Sequence, residues 1–197
     1  MFLSLHQDWQ ERVRAEIVEV CGDQDIQQCL QHKDTLPKPK RIVVRQYLVI
    51  HLKSPLTMVI QESMRLYPPS AINGKEALEN MKLENLNVPK GTIVWVFIPR
   101  LRYDPENWGP DADEFKPERF ANEVSKSCKY PAAYAPFGIG TRICLGQNFA
   151  MAQIKIVLSV LLSKFSFSIS PNYEHCPKYG MILNPGHGMR LLVSPVQ

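Results

Sequence analysis

The chemistry available to this chain is concentrated in one segment, Pro136-Phe137-Gly138-Ile139-Gly140-Thr141-Arg142-Ile143-Cys144-Leu145-Gly146. Gly138 and Gly140 open backbone conformations closed to other residues, and so permit a tight loop. Cys144 then falls at the start of a long periodic stretch that predicts a helix, Leu145 to Phe165. At such an end the unpaired amides and the positive pole of the helix dipole favour thiolate over thiol. Gly146 removes a side chain where a flat ligand could approach the backbone. Arg142 sets a permanent positive charge near the sulfur, suited to an anionic group at a ligand's edge. Phe137 is placed to shield the sulfur from water. The combination suits a protected thiolate metal ligand, yet the same residues also read as a Gly-rich turn before a helix with a buried, inert cysteine. A phosphate loop fits less well, because no third glycine completes G-x-G-x-x-G and no Lys-Ser/Thr follows. A nucleophilic Cys144 would need a histidine base, and His51, His175 and His187 stand in no catalytic context.

The elements that must position this loop are mostly helical. Leu5, Trp9, Val13, Ile17 and Val20 recur at helical spacing with charges between them, predicting an amphipathic helix over residues 1–22. Residues 23–40 read as loop, and 41–52, rich in Val, Ile and Tyr, as a strand. Ser54-Pro55 supplies an N-cap and a first-turn proline for a helix over 54–66, which Pro68-Pro69 ends. Pro89-Lys90-Gly91 predicts a turn into a strand from Thr92 to Ile98. Residues 99–146 have little periodicity and read as an irregular meander ending in the cysteine loop. On the last long helix, over 147–165, the predicted apolar face is Ala150, Ile154, Val157, Leu158, Leu161 and Phe165. Strands are predicted at 165–169 and 189–193, with a turn over 184–188 between them.

The totals bound the function class. Hydrophobic residues are 45% and charged residues 21% of the 197, ordinary for a globular domain. A net charge of +4 fits a basic docking patch and is too small to argue for nucleic acid. No apolar run approaches a membrane span, and the opening Met-Phe-Leu-Ser-Leu is too short for a signal-peptide core, so neither anchor nor secretion signal is expected in this chain. Five cysteines without a C-x-x-C pair argue against a disulfide framework. A zinc site from Cys176 with His175 or His187 lacks paired spacing.

Three motifs, in order, carry a family resemblance. The run from Phe137 to Gly146 completes F-G-x-G-x-R-x-C-x-G and resembles the haem-binding signature of cytochrome P-450 monooxygenases. Upstream, Glu62-Ser63-Met64-Arg65 resembles the family's E-x-x-R, and Pro117-Glu118-Arg119-Phe120 its P-E-R-F. The wording is most similar to plant enzymes of the clan that oxidises gibberellins, cytokinins and terpenoid-derived compounds. The resemblance implies a mixed fold, mainly α with small β-sheets, corresponding to the C-terminal haem-binding portion of the P-450 fold. It implies that Cys144 is the axial ligand of haem b (iron protoporphyrin IX), with Phe137, Gly138, Arg142 and Gly146 forming the cofactor loop and Arg142 meeting a propionate. Glu62, Arg65 and Arg119 become a buried structural triad, and no residue of this chain is assigned a catalytic role. Expected partners are a small hydrophobic substrate and an NADPH-dependent flavoprotein reductase, docked beside the loop on Lys126, Lys129 and Lys155. Full-length relatives are endoplasmic-reticulum membrane proteins facing the cytosol.

The departures matter as well. Family members are over twice as long, and the central helix with its A/G-G-x-x-T-T motif has no counterpart among Thr35, Thr57, Thr92 and Thr141. Lys75 stands where the family often has an arginine near the propionates, and Arg102-Tyr103 where it often has His-Arg. The expected alternative to a monooxygenase is therefore a truncated, non-catalytic fragment, at most a weak haem binder.

Overall fold

The computed structural model describes residues 1–21, 54–180 and 182–196, and the expectations for 23–52 lie outside them. Three helices make the core. They are α2 (Gln7–Cys21), α3 (Pro55–Leu66) and α6 (Gln147–Lys164), and they bury Trp9, Val13 and Ile17, then Leu56, Val59, Ile60 and Met64, then Leu162. Around them lie, among the described residues, four two-stranded antiparallel sheets, so the fold is mainly α with small β-sheets.

The first helix is not continuous. The short α1 (Phe2–Leu5) ends at His6, whose φ of −112° and ψ of 84° leave the helical region, and α2 starts afresh at Gln7. Tertiary contacts override the periodicity: Phe2 stacks on Phe115 at 4.3 Å, while α2 packs with α3 and α6. Gln10, fully buried on α2, uses its side-chain amide as a strand neighbour. It donates to the Phe167 carbonyl at 2.9 Å and accepts from the Phe167 amide at 2.8 Å.

Ser54 caps α3 by accepting the Thr57 amide at 3.1 Å, with Pro55 in the first turn. Nine of its twelve residues are buried, Glu62 and Arg65 among them. The strand β1 (Ile72–Glu76) pairs with β4 (Ile93–Phe97), between which the hairpin of β2 (Met81–Leu83) and β3 (Leu86–Val88) is inserted. Gly74 lies opposite Trp95 under the indole, where a Cβ would come within 2.9 Å of the ring.

The stretch read as an irregular meander contains two short helices, α4 (Ile98–Arg102) and α5 (Pro105–Trp108), and isolated 3-10 turns. Asp104 caps α5, and Gly109, at φ 88°, ends it. A second small core of Trp108, Ala112 and Phe120 sits here with Tyr134 against it. After α6, β5 (Phe165–Ile169) pairs with β8 (Leu191–Pro195), two residues later than the predicted 189–193, and β6 (Pro177–Tyr179) pairs with β7 (Leu183–Pro185).

The predicted face of α6 is corrected at three positions, Phe165 being exposed and the first residue of β5. Val157 and Leu161 are exposed, while Lys155, Ser159 and Leu162 are buried. The helix is apolar on both sides, so hydrophobicity alone does not choose which side meets α2 and α3. Lys155 therefore cannot belong to an exposed docking patch, although Lys126 and Lys129 are exposed. Burial lowers the pKa of the Lys155 ammonium, and nearby Glu16 opposes that shift.

Candidate functional site

The cysteine loop is held at both ends and open in the middle. Its entry, Phe137, packs against the main core, and the Phe137 carbonyl accepts the Cys144 amide at 2.9 Å. Between them, Gly138 and Gly140 have φ of 78° and 76°, a region that L side chains rarely occupy. Gly140–Arg142 forms a 3-10 turn, closed by the Ile143 amide on the Gly140 carbonyl at 3.1 Å. A Cβ on Gly138 would lie 3.4 Å from the Asn73 side-chain nitrogen, so β1 runs beside the loop. Lys75 is on the same strand face as Asn73 by the two-residue period. Gly146 precedes α6, and a Cβ there would meet the Cys144 sulfur at 3.8 Å.

Cys144 is a free, exposed thiol. Its neighbours are apolar and exposed too: Ile139, Ile143, Phe149 at 73% and Leu145 at 102%. Arg142 is exposed and makes no ion pair among the described residues. A single sulfur donor ringed by uncovered aliphatic and aromatic side chains, with a free guanidinium beside it, fits a flat apolar cofactor with one thiolate ligand and an anionic edge. No described histidine is hydrogen-bonded to Cys144. The zinc alternative has no donor set among the described residues: both ring nitrogens of His175 are taken, by Tyr67 at 2.8 Å and Tyr173 at 2.9 Å, and His187 pairs with Glu174.

Behind the loop lies a buried charge cluster. Glu62 is 0% exposed and its carboxylate receives Arg65 in a two-pronged contact, Nε at 2.7 Å and Nη2 at 2.8 Å. The remaining Arg65 donors reach the carbonyls of Arg102 at 2.8 Å, Ala112 at 2.6 Å and Glu114 at 3.0 Å. All five guanidinium N–H groups are therefore engaged. Trp108 lies under the same guanidinium, 4.9 Å to the ring centre. Arg65 thus ties one helix to three points of the meander. The Lys116 amide adds a fourth tie, donating to Glu62 at 2.8 Å.

Arg119 joins differently. Its Nε is 3.4 Å from Glu62 and makes no hydrogen bond, whereas its Nη1 lies 2.8 Å from Asp111. Nη1 also donates to the Trp108 carbonyl at 2.8 Å, and Nη2 donates to the Asp111 carbonyl. Hydrogen bonds from Lys116 and Arg119 hold the Asp111 carboxyl well below the usual carboxylate range. Two buried guanidiniums thus meet two carboxylates. Tyr134, whose phenol donates to the Gln61 carbonyl at 3.2 Å, links the cluster to the loop's entry, and burial pushes its hydroxyl pKa up.

Asp111 and Tyr134 carry no sequence signal of their role, because the meander that delivers them has no period to read. A separate hollow of about 460 Å³, between α1, α3, α6 and the β6–β7 hairpin, is lined mainly by aliphatic side chains and ends in Tyr67, His175 and Tyr173. Cys144 does not line it.

The family model described as Cytochrome P450 matches residues 1–193. Among similar proteins, "Cytochrome P450 714A2" of Arabidopsis thaliana is 45% identical over 193 residues, which cover 98% of this chain and 33% of that relative. "Cytochrome P450 714C2" of Oryza sativa subsp. japonica is 45% identical over 192 residues, with the same coverage of both chains. A solved structure, "Retinoic acid bound cyanobacterial CYP120A1", superposes with a TM-score of 0.77 at 27% identity, over 99% of this chain and 40% of that one. The chain belongs to the cytochrome P450 family. It spans about a third of the length of the plant relatives it matches.

Proposed function

We propose that this chain is the haem-carrying portion of a haem-thiolate monooxygenase, with Cys144 as the ligand of haem iron. The observation that carries the reading is the exposed Cys144 thiol, fixed by its own amide to Phe137 and surrounded by uncovered apolar side chains. Haem bound there would supply oxygen activation, with the thiolate's electron donation favouring O–O cleavage. The chain's own residues have simpler tasks. Cys144 presents the sulfur, Gly146 keeps its flank clear, and Ile143, Leu145 and Phe149 offer apolar contact. Arg142, with Lys75 on the neighbouring strand, offers positive charge to the cofactor's carboxylates. Phe137 anchors the loop in the core.

In the complete protein the substrate is a small hydrophobic molecule, and the electrons come from an NADPH-dependent flavoprotein reductase. Lys126 and Lys129 supply exposed positive charge for an acidic partner. No described helix is long and apolar enough to cross a membrane. The complete protein's place on the endoplasmic-reticulum membrane, facing the cytosol, rests on the family resemblance.

A second reading is that the 197 residues by themselves are at most a weak haem binder without catalysis. It is favoured by the full exposure of Leu145 and the large exposure of Phe149, which leave the loop's apolar contacts open to water. One experiment separates the two. The chain is loaded with iron protoporphyrin IX, reduced, and its carbon monoxide difference spectrum recorded beside that of Cys144→Ser. A red-shifted Soret band lost in the variant supports thiolate ligation. The same spectrum from both proteins, or no haem uptake, overturns it.

A further inference from the structure

The family resemblance groups Arg119 with Glu62 and Arg65, and the geometry adds Asp111 as a second, hydrogen-bonded anchor. Its Nε stands 3.4 Å from Glu62 without a hydrogen bond, and the Glu62 oxygens are already taken by Arg65 and the Lys116 amide. Both terminal nitrogens of Arg119 go to Asp111, one to its carboxylate at 2.8 Å and one to its backbone carbonyl. A guanidinium cannot shed its proton, so a buried one requires a counter-charge. Glu62 is shared between the two guanidiniums and one carboxylate cannot balance both, so Asp111 supplies the second counter-charge, at Arg119.

The same contacts lead to the cysteine loop. Arg119 is followed by Phe120, which is wholly buried and packs at a tilt against Tyr134 at 5.0 Å and Trp108 at 6.3 Å. Tyr134 donates to the Gln61 carbonyl, and Ala135 after it is buried. Phe137 follows in the core and accepts the Cys144 amide. We propose that Asp111 is a positioning residue: by fixing Arg119, it sets the placement of the Phe120–Tyr134 packing, and so the entry of the Phe137–Cys144 loop. Its relevance to the cofactor rests on Cys144 being the haem ligand; its effect on the loop does not.

The full 197-residue chain, labelled with ¹⁵N-cysteine and ¹⁵N-leucine, allows the two to be separated. The Cys144 amide, identified by its loss in Cys144→Ser, reports opening of its bond to Phe137, and the Leu162 amide in α6 reports global opening. Asp111→Asn removes a charge-assisted bond to a buried cation. It should raise Cys144 exchange about ten- to a hundredfold, with Leu162 moving less than about threefold. Arg119→Gln should do the same, and the double variant should add little, because both act on one contact. Asp111→Glu should return exchange to within about threefold of the parent. Lys116→Met, which removes the exposed partner of Asp111, should leave it nearly unchanged.

In the haem-loaded proteins, Asp111→Asn should shift the carbon monoxide spectrum toward the band of a lost thiolate at unchanged haem content. Cys144 exchange within about twofold of the parent in Asp111→Asn, or Cys144 and Leu162 moving together, would overturn the proposal. A parent chain that takes up no haem would instead remove the ligand reading, while the exchange data would still decide the role of Asp111.

Discussion

Arg65→Leu measures how the buried cluster braces the meander, because Arg65 does two separable things. It neutralises Glu62, and it donates to the carbonyls of Arg102, Ala112 and Glu114. Removing one partner of a buried ion pair costs about 3–5 kcal/mol, since the other charge stays in place without compensation. Each carbonyl that loses its donor adds about 1 kcal/mol after relaxation. The single substitution should therefore cost about 6–8 kcal/mol, a large part of the 5–15 kcal/mol typical of a domain. Glu62→Leu should cost about 3–5 kcal/mol by the same rule. The double variant carries neither charge but still abandons the carbonyls of Arg102, Ala112 and Glu114 and the Lys116 amide. It should lose only about 4 kcal/mol, far below the sum of the singles. With a urea slope of about 2 kcal/mol/M, the Arg65→Leu midpoint falls by about 3–4 M and that of the double by about 2 M, followed by tryptophan fluorescence from buried Trp9 and Trp108. Additive single effects would refute the pairing. A double variant as stable as the parent would refute the claim that the carbonyl bonds carry weight.

Three further outcomes are expected. Gly138→Ala should lower stability by about 1–2 kcal/mol in urea titration, since it forces a side chain into φ 78° beside Asn73, whereas Gly146→Ala meets only ordinary contact with the Cys144 sulfur and should be nearly neutral. Asp111 has a depressed pKa when folded, so its contribution is present above its unfolded value near about 4 and is lost as pH falls below it; Asp111→Asn should flatten that acid limb in urea midpoints taken from about pH 6 to 2.5. Leu162→Ala should cost about 2–4 kcal/mol and Val157→Ala less than about 0.5, checked by the same titration, because the first is in the core and the second is exposed.

The parts of this molecule visible in the sequence are those governed by local rules. Ser54-Pro55 and Pro68-Pro69 bound α3 because capping and proline geometry act within a few residues. The strand over 165–169 coincides with β5 for the same reason. The break at His6 and the face of α6 were set instead by what lies across the core, β5 and Phe115 in one case and α2 with α3 in the other. The site divides the same way. Gly138, Gly140 and Cys144 are contiguous, and their motif displays them together. Asp111 stands eight residues before Arg119, with α5 ended by Gly109 and no helical or strand period in between, so only the folded meander shows that the two meet.

That division has a physical consequence for the loop. The buried charged groups of the meander cluster are consumed by structure: Arg65 spends every donor on Glu62 and backbone, and Arg119 is held by Asp111 and the Trp108 carbonyl. Such a cluster cannot rearrange cheaply, because moving any one member uncovers a buried charge. The loop it supports has the opposite character, with glycines at positive φ, few backbone bonds and an open apolar rim. A cofactor seated on that rim would meet a sulfur whose position is fixed from behind rather than by the loop's own stiffness. Preorganisation of Cys144 is therefore a property of α3 and the meander, some 25 to 80 residues earlier in the chain, and substitutions there should alter ligation without touching the loop.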